Sequence, residues 1–104
     1  MQTTITREEA FHRLTDVLRC KWTLAILDAI TRGVVRPGQM ERELEGLTAK
    51  VLYERVRKLE RYGLIERDVY DEVPPRTEYR LTQRGEELVR LLADLRAFAG
   101  LWEA

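Results

Sequence analysis

Residues 48–62, Thr-Ala-Lys-Val-Leu-Tyr-Glu-Arg-Val-Arg-Lys-Leu-Glu-Arg-Tyr, leave the chain few ways to fold. Leu52, Val56 and Leu59 recur at i, i+4 and i+7, one apolar stripe at helical period. Thr48 is a natural N-cap, no proline interrupts the run, and Gly63 stands where a helix stops. Ala49, Lys50, Tyr53, Glu54, Arg57 and Arg61 lie away from the stripe. Across 48–61 five bases (Lys50, Arg55, Arg57, Lys58, Arg61) stand against two acids (Glu54, Glu60), a local excess of three positive charges. Two readings fit such a helix: an ordinary solvated surface helix, or one that enters the DNA major groove. The flanking sequence decides between them.

Upstream, residues 6–19 predict a first helix, with Thr6 and Glu9 spaced as a capping box and Ala10, Phe11, Leu14, Val17 and Leu18 as its apolar stripe. A second helix, from about Trp22 to Thr31, is apolar on most sides and therefore buried; Gly33 ends it. Val34 and Val35 suit a short extended piece. Pro37 suits the first turn of a third helix running to about Glu45, with Met40 and Leu44 inward. The Gly46-Leu47 turn then leads into 48–62, which makes 36–62 a helix-turn-helix with its second helix presented outward.

Downstream the period falls to two. Leu64, Ile65, Arg67, Val69 and Tyr70 read as a strand, Asp71 to Pro75 as a loop, and Arg76 to Leu81 as the return strand, a wing over 64–81. Thr82 caps a last helix, 83 to about 99, whose Leu88, Leu91, Leu92, Leu95, Phe98 and Ala99 are extended by Leu101 and Trp102. That stripe exceeds what attaching one helix needs, so helices 6–19 and 83–99 are expected to form a dimerisation surface. The alternative is a helix packed only on its own core. The expected fold is mainly α with a small β-hairpin wing: one winged helix-turn-helix domain over 1–104.

Composition narrows the chemistry. Eighteen bases balance eighteen acids, which argues against indiscriminate adhesion to nucleic acid but not against a local patch. By segment the bases and acids are seven and seven in 1–47, eight and seven in 48–81, and three and four in 82–104, so the excess sits in the 48–61 helix. No apolar run approaches membrane-spanning length and the polar start has no apolar signal core, so no membrane association and a cytoplasmic location are expected. One cysteine (Cys20) and one histidine (His12) give neither an intramolecular disulfide nor a zinc site, and no cofactor is expected. With no paired acid and base and no phosphate loop, an enzyme is not expected either.

The chain resembles the HxlR-type winged-helix transcription regulators, relatives of the MarR-like group. The matching residues are Lys21-Trp22-Thr23 with Leu27; Gly33 with Arg36; Gly46-Leu47-Thr48; Lys50-Val51-Leu52 with Arg55, Leu59 and Glu60; Gly63-Leu64-Ile65; Val73-Pro74-Pro75-Arg76 with Glu78-Tyr79; and Leu81-Thr82 with Gly85. The resemblance implies a homodimer, commonly a repressor, on pseudo-palindromic double-stranded DNA. Some members sense oxidants or electrophiles through a cysteine near the N-terminus, a position held here by about Glu9. Cys20 stands where the family often has Gly, and Pro37 where it has Phe or Tyr.

Each candidate DNA residue has its own expected job. Lys50, near the start of the recognition helix, is placed for guanine O6/N7 or a phosphate. Glu54 is an acceptor for cytosine N4, Tyr53 contacts a base edge or phosphate, and Val51 or Ala49 a thymine methyl. Arg57 and Arg61, further along, suit phosphates, and Thr48 at the N-cap is a further candidate DNA contact. Arg55 flanks the core, with a helix-positioning salt bridge as its alternative. Arg76, after the two prolines, is the wing candidate for a narrow minor groove, with an ion pair to Asp71 or Glu72 as the alternative. Arg36 and Gln39 are candidates for the DNA backbone. Cys20 beside Arg19 and Lys21 is a possible redox residue, because cations favour thiolate. Two further hypotheses are a winged-helix protein–protein module without DNA binding, and an unknown small-molecule effector in an apolar pocket between helices 1, 2 and 5.

Overall fold

The computed structural model describes residues 4–102. In order they form α1 (Arg7–Arg19), α2 (Thr23–Thr31), α3 (Pro37–Glu43), α4 (Ala49–Arg61), β1 (Ile65–Tyr70), β2 (Arg76–Leu81) and α5 (Gln83–Gly100). This is the mainly α, winged helix-turn-helix architecture expected from the sequence. Three helices end or begin as their residues dictate. Thr6 and Glu9 close the capping box on α1 reciprocally, at 3.1 and 2.8 Å. The Thr48 hydroxyl accepts from the Val51 N–H, and the Thr82 hydroxyl accepts from the Gly85 N–H.

Gly33 and Gly63 stop α2 and α4 in the same way. Each takes positive φ, +90° and +73°. The residue after each sends its N–H back to the sixth carbonyl, Val34 to Ala29 and Leu64 to Leu59. The glycine's own N–H bonds to Ile30 or Glu60, completing a Schellman stop.

Three helix boundaries differ from the expectation. Trp22 does not start α2; it precedes it at φ 77°, a left-handed conformation costly for a residue with a Cβ. Its ring lies beside the Gly46 turn, where a Cβ on Gly46 would sit 3.6 Å from the indole. The third helix stops at Glu43, two residues early, with Leu44 as its C-cap. Val34 and Val35 form a short connecting piece outside the sheet, and the Val35 carbonyl accepts one bond from Tyr79 N–H and so ties the wing to the body. The last helix runs one residue further, to Gly100.

The hairpin is antiparallel, with Ile65 opposite Leu81 and Tyr70 opposite Arg76. Ile65 and Tyr79 turn inward, while Glu66, Asp68, Glu78 and Arg80 share the other face. The core joins Val17 of α1, Ile26 and Leu27 of α2, Met40 of α3, Leu52, Val56 and Leu59 of α4, and Leu88 and Leu92 of α5. Burying each large aliphatic of the α4 stripe stabilises the fold by about 1.5–3 kcal/mol. That burial fixes which side of α4 is left for solvent.

Candidate nucleic-acid interface

The five bases of α4 separate into two groups. Lys50, Arg57 and Arg61 are exposed, and none has an ion-pair partner among the described residues. With Tyr53 and Glu54 they occupy an arc of about 100° opposite the buried stripe, at ~100° per residue. Arg55 and Lys58 are used inside the protein. Arg55 Nε donates to the Lys21 carbonyl at 3.0 Å, tying α4 to the turn before α2. Lys58 Nζ lies 2.6 Å from an Asp16 carboxylate oxygen and 3.1 Å from Cys20 Sγ. Tyr62 donates its hydroxyl proton to the same carboxylate at 3.1 Å. The Lys58 hydrogen bond holds the Asp16 pKa below its ordinary value, and the same bond raises that of Lys58.

This arrangement places the sequence candidates as follows. Lys50, Tyr53, Glu54, Arg57 and Arg61 lie together on the open face of α4, whereas Thr48 is its exposed N-cap, with its hydroxyl taken by the Val51 N–H. Val51 is half-buried and packs against the core, so its side chain is turned away from that face. Arg36 does not stand free at the start of α3: its Nε donates to Glu78 of β2 at 3.2 Å. Arg76 is not at the wing tip either. As the first residue of β2 it draws back, its guanidinium 4.1 Å from the Tyr70 ring and its Nε 3.3 and 3.4 Å from Glu72 and Glu78. That Nε is buried without the alignment of a hydrogen bond, so the contact is charge proximity plus stacking. The tip itself presents Val73, fully exposed, with Pro74 and Pro75. Arg36, Gln39, Arg42, Tyr53 and Arg76 border one groove of about 560 Å³ between α3, α4 and the wing.

Cys20 is half-buried at the C-cap of α1, its sulfur 3.7 Å from Asp16 and inside the α1–α4 contact. The apolar groove is not between helices 1, 2 and 5 as expected. It measures about 460 Å³ and lies between α1, the C-terminal end of α4 and α5, lined by Leu14, Val17, Tyr62, Leu64, Leu88 and Leu91 among others. No α2 residue reaches it, because α2 is enclosed in the core behind Val17. Sequence reasoning missed Asp16, Lys58, Tyr62 and Glu78. For the first three no spacing signals the pairing, since residues 42 and 46 apart meet only on folding. Glu78 was legible in principle: period two puts it on one face with Arg76 and Arg80.

No helix among the described residues is long and apolar enough to cross a membrane, and no group of three or more metal-ligating side chains occurs among them.

Comparison with known proteins agrees with this geometry. The family model described as HxlR-like helix-turn-helix matches residues 17–104. An uncharacterised HTH-type transcriptional regulator of Synechocystis is 41% identical over 87 residues, covering 84% of this chain and 64% of that protein. This chain therefore spans just under two-thirds of that relative's length. The HTH-type regulator YvaP of Bacillus subtilis is 35% identical over 92 residues, 88% of this chain and 85% of that one. A crystal structure from Enterococcus faecalis V583, assigned to the MarR family of transcriptional regulators, superposes with a TM-score of 0.82 at 30% identity, covering 97% of this chain and 92% of that one. The chain belongs to the HxlR-like helix-turn-helix family.

Proposed function

We propose that the chain is a homodimeric, sequence-specific DNA-binding repressor that reads a pseudo-palindromic operator with α4 in the major groove. Family membership and its HTH-type regulator relatives make it a DNA-binding transcription regulator and not an enzyme. The observation that carries the finer reading is the division of the α4 bases. Two are consumed in fixing the helix, while Lys50, Arg57 and Arg61 share one open face with Tyr53 and Glu54. Lys50 then reads a base or phosphate near the helix start, Glu54 and Tyr53 add selectivity, and Arg57 and Arg61 hold phosphates.

The exposed apolar face of α5 supports the dimer. Leu91, Leu95, Phe98 and Trp102 follow at helical spacing and are 51–77% exposed, with Phe11 of α1 at 58%. A second copy covering that face would carry two α4 helices into successive major grooves, about 34–36 Å apart. A gel shift with DNA from upstream of the chain's own gene tests the reading across salt concentration. A shift that resists unrelated competitor DNA supports it. No shift even at low salt would leave the protein–protein module as the better account.

A second reading has its own support. The groove at the α4–α5 junction is largely apolar, with Arg13, Arg84 and Glu87 as its charged lining, which suits a small apolar effector. Its ligand would touch Tyr62 at the end of α4 and so bias the reading helix. Release from DNA by such a compound, matched by a thermal shift, is the check.

A further inference from the structure

We propose that Glu78 is a built-in competitor for DNA phosphate: in the free protein it holds the two arginines that the DNA backbone must take over. The proposal rests on the DNA-binding reading above. A single oxygen of Glu78 lies 3.2 Å from Arg36 Nε and 3.4 Å from Arg76 Nε. Arg36 is the N-cap of α3 and Arg76 opens β2, so one carboxylate bridges the helix-turn-helix and the wing. Both arginines border the groove between those elements, and Tyr53 carries that groove to the open face of α4. If α4 occupies a major groove and the wing the neighbouring minor groove, the sugar-phosphate strand dividing them passes here. A phosphate arriving at this groove finds guanidiniums already neutralised.

The carboxylate is also poised to leave. Asp68 lies directly across the hairpin from it, and like charges in that position repel. Glu72 adds a third acid beside Arg76. Asp68 has its own counter-charge in Arg80, whereas Glu78 depends on Arg36 and Arg76. These ion pairs are partly exposed, 48 and 26% for the Arg36–Glu78 side chains, hence weak and screened by salt. Phosphate, multiply contacted along a strand, displaces such an anion where the rest of the interface is in register. On DNA where α4 gains little, the arginines stay with Glu78. The device lowers adhesion to arbitrary sequence and so widens discrimination.

The test compares the full chain with Glu78→Gln and Glu78→Ala on a short mixed-sequence duplex, by fluorescence anisotropy over a salt series. Asp71→Asn is the control: it removes a charge from the turn between β1 and β2, and Asp71 has no ion pair among the described residues. The expected result is tighter binding to mixed sequence by both Glu78 variants, about 3- to 10-fold, the size set by losing two weak pairs. The salt dependence should steepen by roughly one to two phosphate contacts. Asp71→Asn should change affinity less than about 2-fold by the same weak surface electrostatics. Weaker binding by Glu78→Ala with Glu78→Gln unchanged would show that the side chain orients the arginines, and would overturn the proposal. So would equal effects of Glu78→Gln and Asp71→Asn. Melting curves establish folding, and the near-isosteric Gln variant decides alone if the Ala variant does not fold. If the wild-type chain binds no duplex at any salt, the DNA reading itself fails, a result distinct from either outcome.

Discussion

Single residues hold this fold at points of very close approach. Gly85 is the clearest case. A Cβ there would meet the Leu64 carbonyl oxygen at 2.0 Å, a backbone atom that cannot rotate away. Gly85→Ala is therefore expected to lower stability by about 1–3 kcal/mol, the cost of overpacking, although Ala favours a helix intrinsically. Thermal unfolding checks it; an unchanged Tm would mean that α5 shifts freely on the α4 end. Asp16 gives a pH-dependent counterpart. Its pKa is lowered chiefly by the Lys58 hydrogen bond, so it contributes stability while ionised, above its ordinary value of 3.8. That contribution is lost as pH falls through the depressed native value. The Tm gap between wild type and Asp16→Asn should be steady at neutral pH and close progressively below about pH 4. A gap that persists undiminished in acid would contradict the pairing. Neither residue was readable in advance. Gly85 was noted only as a likeness to a family, and no pattern in 104 residues says that Asp16 meets Lys58.

At the scale of elements, α4 is held at its C-terminal end and along one side. Arg55 and Lys58 tie its flank to the α1–α2 region. Its C-terminal carbonyl Tyr62 and the next two, Gly63 and Leu64, are taken by Arg84 Nη1, the Thr82 hydroxyl and the Thr82 N–H of the α5 start. The helix proposed to read DNA is thus clamped to the helix proposed to dimerise, so in such a dimer a change in how the copies meet would be passed to α4. The elements themselves were legible because their signals are local: Thr caps, Gly stops, a period of 3.6 and then of two. What was not legible is where side chains go after the backbone folds. Arg76 follows two prolines and reads as an exposed tip, yet the hairpin register places it across from Tyr70, where stacking and two carboxylates draw it in. The end of α3 was overrun for a related reason. Leu44 continues the apolar pattern, but it serves the turn into α4 as a C-cap.

At the scale of the molecule, neutral overall charge and a local cationic excess on α4 bear on what it can bind. Selective recognition fits; general adhesion to nucleic acid does not. The apolar face of α5 is left uncovered, with Leu101 and Trp102 continuing it at 79 and 77% exposure. Leu95→Glu, in the middle of that face, is expected to convert a dimer to a monomer in analytical ultracentrifugation while the fold persists. Operator affinity should drop by roughly 10²-fold or more, because the second half-site is no longer bound intramolecularly. An unchanged sedimentation coefficient would place the interface elsewhere.

The claim on which the rest depends is that α4 reads DNA through its open face. It is tested most directly by anisotropy titration of an operator duplex and a scrambled duplex with wild type, Lys50→Ala and Arg57→Ala over a salt series. Lys50→Ala should lose about 1–3 kcal/mol on the operator and relax the preference for it. Arg57→Ala should weaken both duplexes alike and reduce the salt slope by about one contact. Wild-type binding to the operator by both variants, at every salt concentration, would contradict the account.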